Sequence, residues 1–371
     1  MNEIRENPLD NRQKHLDVMC FPTLFPTGNF GADHSRAVKL SNAEYIKSRL
    51  LNVDSRYRKN PAYVFFLLWE KELRELKSGI YNTLRTTSQN MSAQAMLNML
   101  NNADRKLEAS LCTVLQSVRG TKQFWFKRKG DVDCMIREFG SPTFFCTFSC
   151  AEYESPDILE YLRKVNDVPD SYDNGRLCTE DPISVSRQFS HKFHEFFSIF
   201  IKKGQVLGQV DHFFWKKEYQ QRGAPHYHVL LWIRDAPKMG QDKPEDVIAF
   251  IDRHITCHIP NHNTCPELHK TVMSKQLHKC SAYCKKKYKS GSHYFQRCKF
   301  GYPRPVTSKT TLKDVTKNLK AHQKIYDLKR HEAETRVNDY NPLLLLQWGA
   351  NTSTEVEGIH YYFLSIKVWL N

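Results

Sequence analysis

Residues 211–233 read Asp211-His212-Phe213-Phe214-Trp215-Lys216-Lys217-Glu218-Tyr219, then Gln220-Gln221-Arg222-Gly223-Ala224-Pro225, then His226-Tyr227-His228-Val229-Leu230-Leu231-Trp232-Ile233. The flanks are rich in the aromatic and aliphatic residues that suit a pleated, half-buried surface, and the link holds glycine and proline. This pattern predicts an antiparallel hairpin with strands over Asp211–Tyr219 and His226–Ile233. Side chains alternate faces along a strand, so His226 and His228 share one face while Tyr227, Val229 and Leu231 enter the opposite layer. Two imidazoles on one face can chelate one cation. Glu218, eight residues before His226, falls near the end of the partner strand, where its carboxylate could complete the site. Two neutral nitrogens and one oxygen suit a divalent ion, with manganese or magnesium as candidates. Such an ion would polarise a phosphodiester and stabilise charge developing on its oxygens. The plainer alternative is a pair of surface histidines near an ordinary surface carboxylate. A nucleotidyl hydrolase built on His-x-His-x-His does not fit, because the third position is Leu230.

Upstream, the period changes at Pro142. Phe144-Phe145-Cys146-Thr147-Phe148-Ser149 reads as a buried strand on which Thr147 and Ser149 share a face. A long helix is expected after Pro182, with Phe189, Phe193, Phe196, Phe197 and Phe200 at the three- and four-residue spacing of a core stripe. Strand, helix and hairpin together predict an α+β fold, an antiparallel sheet with flanking helices. Earlier still, Pro61 opens a helical pattern and a second covers roughly Asn90 to Ser117. The apolar run Phe21-Pro22-Thr23-Leu24-Phe25-Pro26 reads as a buried loop anchor. Beyond residue 307 the chain is expected to be helical at first and to end in Asn341-Pro342-Leu343-Leu344-Leu345-Leu346-Gln347-Trp348.

At 371 residues the chain has room for two or three structural units of ~100–200 residues each. Lysine and arginine outnumber aspartate and glutamate 55 to 40, a net charge of +15, which favours a polyanionic partner such as nucleic acid. The polar start of the chain is unlike a secretory signal, and the longest apolar stretch, Ala62 to Trp69, is far too short to cross a bilayer. No membrane association is therefore expected. In a reducing compartment the 11 cysteines point to metal before disulfide.

His278, Cys280, Cys284 and Cys298 have the spacing H-x-C-x3-C-x13-C, and four nitrogen or sulfur ligands would make a closed, structural zinc site. Cys257, His258, His262 and Cys265 offer alternative ligands. From Leu268 to Arg304 there are ten lysines and arginines and no acidic residue, with Tyr283, Tyr288, Tyr294, Phe295 and Phe300 interleaved. Cations for phosphates and rings for bases together suit a single strand. The candidate DNA contacts are Arg222, Lys285, Lys286, Lys287, Lys289, Arg297 and Lys299. The competing reading is a solvated basic loop.

The run Glu218 to His228 resembles the histidine–hydrophobe–histidine (HUH) signature of Helitron transposases, E-[FY]-Q-x-R-G-x-P-H-x-H. Further stretches match that family in order: Phe21–Pro26, Val118-Arg119-Gly120-Thr121 with Phe124-Trp125, Gly140–Phe145, Asp181-Pro182, Cys298–Pro303 and Val337–Pro342. The resemblance implies a Rep-type endonuclease module that starts rolling-circle transposition of DNA. In that family a tyrosine hydroxyl attacks a phosphate of single-stranded DNA, leaving a 5′-phosphotyrosine link and a free 3′-hydroxyl. The resemblance places the metal on His226, His228 and Glu218, favours His278, Cys280, Cys284 and Cys298 for zinc, and implies a nuclear location. It divides the chain into a mainly helical region 1–135, an HUH core 136–255, a basic Cys/His subdomain 256–306 and a helical segment 307–371.

The family carries two tyrosines about one helical turn apart beyond the position of Trp348. Here Tyr361 and Tyr362 are adjacent, so they are the candidate nucleophiles but cannot share one helix face. Helitron proteins also continue into a helicase, whereas this sequence holds no G-x-x-x-x-G-K-[ST] phosphate loop. The alternative expectation is therefore a truncated, catalytically inactive remnant that still binds single-stranded DNA.

Overall fold

The computed structural model describes residues 13–87, 112–219, 223–290, 293–313 and 324–356. The chain divides into two compact units, Met1–Arg128 with Leu162–Ser184, and Lys129–Tyr161 with Val185–Asn371.

In the first unit, helix α1 (Asn42–Leu50) begins with a capping box: the Ser41 hydroxyl accepts from the Glu44 N–H, and the Glu44 carboxylate accepts from the Ser41 N–H. Helix α2 (Pro61–Thr87) opens on a proline, whose missing N–H costs nothing in a first turn. The anchor Phe21–Pro26 is buried at Leu24 and Phe25, which pack with Tyr45, Tyr57, Tyr63 and Leu67. Asp181 is fully buried; the Arg58 guanidinium donates to its carboxylate at 2.9 Å and the Ser184 N–H at 3.1 Å. The Asp181-Pro182 pair is thus a helix start secured by a buried ion pair. Most of the helix expected over Asn90–Ser117 lies outside the described residues, and residues 112–115 are helical.

The second unit holds helix α3 (Lys122–Phe139) from Lys129 onward, strand β1 (Phe144–Ser149), helix α4 (Pro182–Phe196), and strands β2 (Val210–Tyr219) and β3 (Pro225–Ile233). Helix α5 (Pro244–His254), the β4 (Lys285–Ser290) and β5 (His293–Cys298) hairpin, and the short pair β6 (Thr311–Leu312) and β7 (Tyr326–Asp327) follow. Helix α6 (Pro342–Trp348) and strand β8 (Thr352–Val356) come last. The main sheet has the order β2-β3-β1-β8, antiparallel throughout, as the α+β reading expects.

The phenylalanine stripe of α4 covers one face. Phe193 stacks on Tyr227 with ring centroids 3.6 Å apart, and Phe196 meets Phe148 at 5.4 Å. Trp348 closes this layer against Phe148 and Phe196 and donates its indole N–H to the Ser149 carbonyl at 2.9 Å. Asn341 caps α6 through the Leu344 N–H, and Gly349 ends it at φ 72, a left-handed conformation that glycine adopts without a Cβ clash. The Asn-Pro-Leu run before Trp348 therefore works as a start signal that aims the tryptophan at the sheet.

On the other face, Val132, Met135, Ile136 and Phe139 of α3 pack against Leu230, Trp232, Phe145 and Phe214. Gly140 and Thr143 tie this end down: the Trp232 indole donates to the Gly140 carbonyl at 2.8 Å, and the Ile233 N–H to the Thr143 hydroxyl at 3.0 Å. His226, His228 and Glu218 share this face.

The helical segment expected over 307–371 changes in two places. Strand β8 carries no apolar alternation, yet Thr352 and Thr354 are buried where it pairs with β1. A helix beginning near residue 307 is not found among the described residues: Thr307 bridges Arg330, and Thr311–Leu312 pairs with Tyr326–Asp327. β-Branched threonines at 307, 310 and 311 favour the extended chain. No helix among the described residues is long and apolar enough to cross a membrane.

Candidate metal centre and nucleic-acid interface

The register of β2 on β3 sets Glu218 directly opposite His226, and Lys216 opposite His228. His226 Nε2 and His228 Nε2 are 2.8 Å apart, and they lie 3.5 and 3.3 Å from Glu218 Oε2. Two donors at right angles around an ion with bonds of ~2.1 Å sit about 3.0 Å apart. The three atoms therefore already have the mutual spacing of one face of a coordination shell, and the residues fit a magnesium- or manganese-sized cation.

The electrostatics agree with that fit. Burial by itself would raise the Glu218 carboxyl, but its bonds to His226, His228 and Lys216 hold it well below the ordinary carboxylate range. Burial pushes the His228 imidazole down, toward the neutral form that a metal needs. The Thr147 hydroxyl meets His228 Nδ1 at 3.1 Å, because β1 pairs Thr147 with His228. When the hydroxyl accepts from Nδ1–H, the Nε2 lone pair is left for a metal, as in carboxylate–histidine–metal arrangements. His226 Nδ1 is buried with no partner among the described residues. Lys216 Nζ lies 2.7 Å from Glu218 Oε1 and supplies part of the positive charge around these lone pairs.

Thr147 and Lys216 were not among the expected site residues. A period-of-two reading carried across all three strands would have put both on the histidine face, but it needs the order of the strands, which the sequence does not contain.

The four expected zinc ligands also converge: His278, Cys280, Cys284 and Cys298 offer donor atoms within 4.8 Å of one another. The β4–β5 register pairs Lys285 with Cys298 and so carries Cys284 to the same end of the hairpin. His278 Nε2 is 3.2 Å from Cys298 Sγ, and Tyr302 stacks on the His278 ring at 4.4 Å. Arg336 donates to Cys280 Sγ and lowers that thiol, whereas burial raises Cys284. Four soft donors suit zinc. Of the alternative ligands, Cys257 is buried against the Lys329 carbonyl, His258 pairs with Glu334, and neither they nor His262 or Cys265 join this cluster.

Lys285, Lys286, Lys287 and Arg297 are exposed on the hairpin, and Lys299 lies over the rings of Tyr283 and Phe300. Lys286 stands opposite Arg297, and Tyr288 opposite Phe295, whose rings stack at 5.9 Å. Like charges facing each other destabilise a ladder unless an anion joins them. One face of the hairpin thus offers two cations and two rings in sequence. Lys289 lies on β4, its side chain outside the described residues, and Arg222, Tyr361 and Tyr362 lie outside them altogether.

Residues 42–231 match the family described as Helitron helicase-like domain at N-terminus, and residues 178–292 match a family of replication-associated proteins. No curated protein matches the chain. The first match takes in β1, β2 and both site histidines; the second contains the whole β2–β3 hairpin and reaches into the Cys/His cluster. Because the first match spans just over half of the 371 residues, the chain belongs to the family of Helitron helicase-like N-terminal domains.

Proposed function

We propose that this chain is a rolling-circle transposase module, a metal-dependent endonuclease and strand transferase for single-stranded DNA. The observation that supports this most is the convergence of Glu218, His226 and His228 at one end of an antiparallel sheet. These three residues would hold a manganese or magnesium ion, which when bound withdraws charge from a phosphate oxygen. The chain's own residues prepare the place: Thr147 fixes the tautomer of His228, and Lys216 adds a positive charge beside the carboxylate. The basic, ring-bearing face of the β4–β5 hairpin holds the strand, and the Cys/His cluster fixes that hairpin through zinc. Tyr361 or Tyr362 supplies the nucleophile: its oxygen bonds to phosphorus, the P–O3′ bond breaks, the phenol proton is lost and the 3′ oxygen gains one. The phosphotyrosine bond keeps the energy of the cleaved linkage, so rejoining needs no ATP. A nuclear location accompanies this reading.

The adjacency of Tyr361 and Tyr362 favours a second reading, a DNA-binding relative that does not cut. Incubating the full chain with manganese and end-labelled single-stranded oligonucleotides separates the two. The nuclease reading expects a protein–DNA adduct that survives denaturation, disappears in the Tyr361→Phe/Tyr362→Phe variant and disappears in His228→Ala. Binding without any adduct establishes the second reading instead.

A further inference from the structure

A second set of donors meets where the loop after α5 approaches the turn Glu332–Glu334. His258, His331 and Glu334 offer ligand atoms that all lie within 4.8 Å of one another. Glu334 is 6% exposed, and each of its carboxylate oxygens already accepts a backbone N–H: Oε1 from Ile259 at 3.1 Å, Oε2 from His331 at 2.9 Å. A carboxylate offers about four lone-pair directions. Two remain, and His258 Nδ1 faces both oxygens at 3.0 and 3.1 Å.

Hydrogen bonds cross-link the framework around these donors. Thr256 and Tyr340 form a β-bridge, and the Tyr340 hydroxyl donates to the His258 carbonyl at 2.6 Å. Arg330 donates to the carbonyls of Glu334 and Val337 at 2.6 and 2.8 Å. Both rings reach the surface: 45% of the His258 side chain is exposed, and His331 is exposed too. An imidazole–carboxylate pair needs one histidine. Here a second, 73 positions further along the chain, reaches the same carboxylate, with ring centroids 5.9 Å from the first.

We propose that Glu334, His258 and His331 form a third cation site, for a zinc-class divalent ion, separate from the sheet site and from the Cys/His cluster. Two imidazole nitrogens and one carboxylate oxygen leave a fourth tetrahedral position for water. Ligands on an ion with bonds of ~2.0–2.1 Å stand about 3.3 Å apart, so ring rotation of about an ångström closes the set without moving the backbone. The ion pins the loop after α5 to the turn that carries Glu334.

Cobalt substitution and metal counting on the full chain test this. His258→Gln/His331→Gln keeps the backbone bonds of Glu334 and is expected to bind one equivalent fewer of zinc than the parent. It should also lose part of the visible ligand-field absorption of the cobalt form, while the ultraviolet thiolate-to-cobalt band stays. His331→Ala alone, checked by circular dichroism, gives the same readout should the double variant fold poorly. Equal stoichiometry in parent and variants overturns the site. So does a loss of the thiolate band that accounts for the whole metal deficit. Measuring in a His226→Ala/His228→Ala background keeps the result independent of the sheet site.

Discussion

Replacing Thr147 with valine should weaken metal binding at the sheet site by 10- to 100-fold while leaving the fold intact. The Thr147 hydroxyl lies 3.1 Å from His228 Nδ1, the ring atom turned away from Glu218. Valine keeps the shape and the β-propensity but removes the acceptor, so no cavity forms. The stability lost is that of one hydrogen bond, about 1 kcal/mol. The metal loses more, because without an acceptor at Nδ1 the His228 proton can move to Nε2, where it blocks the lone pair that would ligate. Outer-sphere partners of this kind are worth roughly 10- to 100-fold in affinity, or about 1.4–2.7 kcal/mol. Among the described residues no partner compensates on the neighbouring ring, where His226 Nδ1 is buried and unbonded. Titration with manganese, followed by the paramagnetic signal of the free ion, reads the affinity; the component that His228→Ala abolishes belongs to this site. Thr147→Ser, which restores the hydroxyl, should return to within a few-fold of the parent. An affinity for Thr147→Val within twofold of the parent, with that component present, would refute the positioning role.

Lys286 and Arg297 face each other on the exposed hairpin, so changing both to glutamine should flatten the dependence of single-strand binding on salt. At ~0.7 per phosphate contact, the slope of log K against log salt should fall by about 1.4, measured by fluorescence anisotropy; an unchanged slope removes them from the interface. Burial by itself would raise Asp339, but Lys324, Arg330 and Arg304 pull it below its ordinary value. A depressed carboxyl stabilises the fold above its unfolded pKa of about 3.9 and loses that contribution as pH falls further. Asp339→Asn, which leaves the buried Lys324 with Glu355 as its remaining carboxylate and the buried Arg330 with carbonyl acceptors, should cost about 3–5 kcal/mol at pH 7 in denaturant titrations and progressively less below pH 4. A gap that stays constant with pH contradicts this. Burial pushes the Cys146 thiol up to about 12, so iodoacetamide at pH 8 should modify the exposed Cys20 and Cys134 long before Cys146, as peptide mass spectrometry would show.

The sequence by itself determined what depends on neighbours along the chain. The alternation from Pro225 to Ile233 put His226 and His228 on one face, and the length of the link placed Glu218 across from them. The phenylalanine spacing of α4 marked its buried side, and the close spacing of Cys280 and Cys284 marked a metal-like turn. Each of these follows from the geometry of a single strand, helix or turn. The tertiary structure decided what depends on which elements become neighbours. It set Thr147 beside His228 through the β1–β3 pairing, and laid the polar strand Thr352–Val356 against β1. It laid the apolar residues of α3 against Leu230 and Trp232, and it carried His331 and Glu334 to His258. Such meetings are selected by burial and by the pairing of charges across the whole core, which no local period in the sequence records.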